Sequence, residues 1–81
     1  MSTKPNSTMT TPIVYVKSDC RYSIRMLEEL RATGEQPIVI DIDRERHSIP
    51  ELLKLSGGRR IVPIRVRGTD VDIAPDGGTE F

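Results

Sequence analysis

Residues 13–23 read Ile-Val-Tyr-Val-Lys-Ser-Asp-Cys-Arg-Tyr-Ser, and this stretch decides the architecture. Its first four residues are β-branched or aromatic, the composition of a short buried strand. Ser18 and Asp19 then offer two helix N-cap side chains. Ile24, Leu27 and Leu30 follow at three-residue spacing, and Gly34 supplies a C-terminal stop. A strand therefore feeds a helix, and Cys20 stands where that helix opens.

Outward from this unit the pattern repeats. Residues 37–42 (PIVIDI) give a second strand. Ser48 and Glu51 match a capping box, with Ser48 as N-cap and Glu51 at N3. Ile49, Leu52 and Leu53 form the apolar face of this second helix, which Gly57-Gly58 ends. Residues 61–67 alternate as a third strand, Ile64 and Val66 on one face and Arg65 and Arg67 on the other. Gly68-Thr69-Asp70 turns into a return strand opened by Val71-Asp72-Ile73, and Pro75, Gly77 and Gly78 close the segment. The order is βαβαββ: an α/β chain with a mixed four-stranded sheet and two helices. The βαβ half requires parallel strands and a right-handed crossover, while the last two strands form an antiparallel hairpin.

At 81 residues, 36% of them hydrophobic, the chain fits one domain with one thin core. Residues 1–11 are expected to be a disordered N-terminal tail and residues 12–81 the folded domain. Twelve Lys and Arg balance twelve Asp and Glu, so a global attraction to nucleic acid is not expected. No apolar run approaches the ~20 residues that span a bilayer, so no membrane partner is expected. Nor does the polar start of the chain carry the apolar stretch of a signal peptide, and a cytoplasmic location follows as the expectation. A single cysteine excludes an internal disulfide and any multi-cysteine zinc site, and no metal is expected. His47 and the charged residues 44–46 read as a solvated turn, and Leu52, Leu53 and Leu55 as core.

The chemistry gathers at Cys20-Arg21-Tyr22-Ser23. A thiolate is the nucleophilic form of cysteine, and a helix N-terminus stabilises it through unpaired N–H groups and the macrodipole. Lys17 and Arg21 are cationic neighbours expected to lower the thiol pKa further. Ser23, one turn on, can donate its hydroxyl to the sulfur. A cysteine that only packs as a small hydrophobe is the bland alternative, but the flanks here are polar and basic. A second signal is Val62-Pro63. A cis bond there leaves Val62 free to pair with an extended peptide, whereas a trans proline merely leads a strand. The third is Asp76-Gly77-Gly78-Thr79-Glu80, where two glycines allow close backbone approach and the following N–H groups can hold a carboxylate.

In this order and spacing the three signals resemble the glutaredoxin family, which has the thioredoxin-like fold. The likeness covers roughly residues 13–80. It rests on Lys17 three before the cysteine, CRYS in place of a CPYC-like motif, GGRRIVP at 57–63, and the double glycine at 77–78. The resemblance implies glutathione as co-substrate, with glutathionylated protein thiols as partners and a monomer as the working form. It implies that the tripeptide's cysteinyl backbone pairs with Val62 beside Pro63. Lys17 and Arg59 would meet its glycine carboxylate, and the amides of Thr79 and Glu80, after Gly77 and Gly78, its γ-glutamyl carboxylate. Tyr22 matches the aromatic of the motif. Serine replaces the second cysteine at Ser23, which leaves only one-thiol chemistry. Arg21 departs from the CGFS of the iron–sulfur-carrying members, and the C-terminal helix of the family is expected to be lacking.

Three functions follow as expectations: a monothiol, glutathione-dependent oxidoreductase acting through Cys20; a dimer bridging a [2Fe–2S] cluster; and a redox-inactive adaptor of the same fold.

Overall fold

The computed structural model describes residues 11–81, so the expected tail lies outside the described residues apart from Thr11. Strand β1 (Ile13–Val16) is the axis of a four-stranded sheet ordered β2-β1-β4-β5. Its neighbours are β2 (Ile38–Asp41), parallel in register Ile13 to Ile38, and β4 (Ile64–Arg67), antiparallel with Tyr15 opposite Ile64. Strand β5 (Asp70–Ile73) completes the expected antiparallel hairpin with β4. Helix α1 (Arg21–Ala32) is the crossover between β1 and β2, and α2 (Ile49–Leu55) precedes the last strands.

Because successive strand residues point to opposite faces, β1 is buried on both. Val14 and Val16 pack with Met26 and Leu30 of α1. Tyr15 turns the other way and joins Cys20, Ile42, Leu52, Val62 and Ile64 in a second cluster under α2. The helices thus cover opposite faces of the sheet, and the cysteine belongs to the α2 side.

Four details differ from the sequence reading. Ile24, expected on the core face of α1, is 47% exposed, and the buried residues are Ser23, Met26 and Leu30. Ser48 caps nothing: a 3-10 turn over Arg46–Ser48 runs into α2, so Ser48 is already helical (φ −84°, ψ −11°), and its hydroxyl donates to the Glu45 carbonyl at 2.6 Å. The strand expected over 61–67 breaks at Pro63 into β3 (Ile61–Val62) and β4, because proline has no N–H to give to a ladder. Finally, β6 (Thr79–Glu80) folds back as an additional strand and pairs with β3.

Candidate active site

The cap of α1 is Cys20 itself, not Ser18 or Asp19. Its backbone is extended (φ −94°, ψ 115°), and its sulfur accepts the Ser23 N–H at 3.3 Å, the place a serine or aspartate oxygen takes in an ordinary cap. Asp19 instead lies exposed in the preceding turn, 3.6 Å from the Lys17 ammonium. Thr79 of β6 donates its hydroxyl to the same sulfur at 3.1 Å, and the Val62 carbonyl lies 4.0 Å away. Pro63, joined to Val62 by a cis bond, is fully buried beneath them.

Two opposing influences set the thiol pKa. Burial pushes it up, since Cys20 is 1% exposed and the ionised sulfur loses water. Hydrogen bonds from the hydroxyls of Ser23 and Thr79 and the amides of Ser23 and Tyr22 favour the thiolate, and together they outweigh burial and leave the pKa lowered. The expected contributions of Lys17 and Arg21 are not among the causes. Lys17 is turned to Asp43, whose carboxylate accepts from the ammonium at 2.9 Å and raises the lysine pKa, with Asp19 adding to it. Arg21 points outward, lining with Tyr22 and Arg25 a shallow depression of about 260 Å³. Local donors activate this thiol.

The other residues singled out in the sequence divide into two groups. Cys20, Ser23, Val62 and Thr79 meet around the sulfur, and Tyr22 lies over Gly77, where an added Cβ would sit 2.8 Å from its ring. Val62, however, is not open to an extended ligand. The Phe81 N–H bonds the Arg60 carbonyl at 3.0 Å, and in an antiparallel ladder hydrogen-bonded pairs recur every second residue. The next such pair is Val62 with Thr79. The expected close approach at the double glycine is likewise internal: a Cβ on Gly78 would lie 2.3 Å from the Val62 carbonyl. Arg59 and Glu80 share a separate cleft of about 360 Å³ with Arg60, Ile61 and Phe81, while Lys17 borders another of about 580 Å³ at the carboxyl ends of β1 and β2.

The sequence reading missed the Thr79 hydroxyl, assigning that residue through its amide alone. It also missed Asp43: the parallel β1–β2 register ends with Val16 beside Asp41, and the turn that follows brings Asp43 to Lys17. Among the described residues no group of three or more His, Cys, Asp or Glu is arranged to hold a metal, and no helix is long and apolar enough to cross a membrane.

Comparison with known proteins agrees with this fold. The family model described as Glutaredoxin matches residues 13–71. Among solved structures, the crystal structure of the glutaredoxin (grx-1) from Archaeoglobus fulgidus is 28% identical in sequence. It superposes with a TM-score of 0.69, and the match covers 89% of this chain and 78% of that one. No curated protein matches the chain.

Proposed function

The chain belongs to the glutaredoxin family, and from that membership we propose that it is a glutathione-dependent thiol–disulfide oxidoreductase that removes glutathione from protein thiols by a monothiol route. The family and fold support a thiol-oxidoreductase role. The observation that carries the reading further is a lone thiol at a helix N-terminus, held towards its thiolate by four donors. Cys20 attacks the glutathione sulfur of a protein–glutathione disulfide, and the protein thiolate leaves. A second glutathione thiolate then attacks the Cys20–glutathione disulfide. Oxidised glutathione forms, and the Cys20 thiolate is released with its donors in place. Ser23 offers no second sulfur, so the intermediate waits for glutathione.

In this reading Cys20 is the nucleophile and Ser23 its donor. Val62 and Pro63 receive the tripeptide's cysteinyl backbone beside Tyr22. Gly77, Gly78, Thr79 and Glu80 border it once they have yielded the Val62 edge, and Lys17 and Arg59 are the cations for its glycine carboxylate. Arg21 flanks the entry. The protein acts as a cytoplasmic monomer with glutathione as co-substrate, without nucleic acid, membrane or resident metal. Turnover of a small glutathione mixed disulfide, coupled to glutathione reductase, tests the proposal. Glutathione-dependent turnover that disappears in Cys20→Ser is expected, and a native rate no higher than that of the variant overturns it.

A further inference from the structure

The nucleophile just described is 1% exposed. A buried sulfur cannot reach the sulfur of an external disulfide, so something above Cys20 must move before any exchange. What lies above it is β6. Thr79 places its hydroxyl on the sulfur at 3.1 Å and pairs with Val62, the strand edge at which an extended backbone would otherwise dock. Gly78 lets this happen, because its backbone runs where any side chain would strike the Val62 carbonyl. Gly77 does the same against Tyr22 with φ at +116°. At the far end Phe81 is held three ways. Its N–H bonds the Arg60 carbonyl at 3.0 Å, its carbonyl accepts from the Arg60 guanidinium at 2.9 Å, and its ring lies 4.7 Å from that guanidinium.

We propose that β6 is a latch: it is the resting occupant of the β3 edge, Thr79 both donates to the Cys20 sulfur and shields it, and an incoming extended peptide displaces β6 by taking its place beside Val62. The inference rests on the thiol-exchange reading above and adds to it the gate that reading requires. A two-residue strand has few bonds to lose, and short, partly solvated pairings of this kind open at the low end of local unfolding energies. The ladder bonds lost from Thr79 are replaced by those of the entering backbone, as in other strand-addition sites. When β6 leaves, Cys20 loses one of its four donors and keeps the three on α1.

Alkylation by iodoacetamide separates the two roles, because Cys20 is the only thiol. Rate against pH gives a midpoint, which reports the donors, and a high-pH plateau, which reports access to the sulfur. Gly78→Ala, which forces β6 off, is expected to raise the plateau about fivefold or more, the effect of losing one or two hydrogen bonds from the closed state, and to move the midpoint up. Thr79→Val is expected to raise the midpoint while changing the plateau less than about twofold, and Thr79→Ser to restore the native midpoint. If Gly78→Ala does not fold, Phe81→Ala loosens the same latch from its other end. A plateau unchanged in the folded opening variant overturns the latch, and a midpoint unchanged in Thr79→Val overturns the donor role. Alkylation uses no glutathione, so loss of turnover with the latch intact would count against the glutathione reading alone.

Discussion

The Ser23 amide donates to the Cys20 sulfur at 3.3 Å, its hydroxyl favours the thiolate, and the same hydroxyl accepts the Lys17 N–H at 3.4 Å. The motif serine is thus a buried structural residue as well as a replacement for a second thiol. Ser23→Ala keeps the amide and deletes the hydroxyl. The thiol midpoint is expected to rise, and alkylation at pH 7 to slow roughly two- to tenfold, as loss of one hydrogen bond to a charged group predicts. The same donors link the thiol to folding. Because the folded-state pKa is lowered, this contribution is complete above the unfolded thiol value, about 8.5. It is lost as pH falls through the folded value. Urea unfolding across this range should show stability rising with pH, and Cys20→Ser should remove that component. That Cys20 opens a helix was legible in the sequence. That its own sulfur is the cap was not, because cap preferences point to the serine and aspartate just before it.

At the scale of elements, periodicity located both helices and the four strands of the sheet, and failed where one residue's chemistry hid its place. Ile24, Leu27 and Leu30 drift around α1, since a helix turns once in 3.6 residues, whereas 23, 26, 27 and 30 form a true face. The first member of that face is a serine, so hydropathy passed over it. Met26 is 5% exposed against Val14 and Val16, and Ile24 is half in water. Met26→Ala should therefore cost about 2–5 kcal/mol, the range for a core methionine cut to a methyl. Ile24→Ala should change stability by less than about 0.5 kcal/mol, as surface substitutions do. Denaturant midpoints of the two variants check the phase of the helix; equal losses would restore the three-residue reading. Strand β6 was hidden for another reason. Two residues after a double glycine carry no periodic signal, and only the tertiary edge at Val62 makes them a strand.

Across the whole molecule, the α1 face of the sheet is only half covered by that helix. On β2 and β1 it is sealed by Met26, Leu27 and Leu30. On β4 and β5 the same face carries charge: Arg65 donates to Asp72 from its neighbouring strand at 2.7 Å, and Arg67 reaches Glu35 in the segment after α1. The alternation of Arg65 and Arg67 against Ile64 and Val66 was readable in the sequence, but Glu35, 32 residues away from Arg67, was not. The Arg67 hydrogen bond is the main reason the Glu35 carboxyl sits below its ordinary value, with the Thr33 hydroxyl at 3.0 Å assisting. A carboxylate lowered in this way contributes stability above its unfolded pKa of about 4.3 and loses it as pH falls through the lower folded value. Glu35→Gln should therefore destabilise the native chain at pH 7, by less than about 1 kcal/mol because the pair is partly solvated. The two proteins should converge as the solution is acidified below the folded pKa, where the native glutamate is also neutral. Parallel urea titrations at neutral and acid pH decide the point. A deficit that persists undiminished in acid would mean Glu35 acts by packing, and that the charged half of the face is not held by its ion pair.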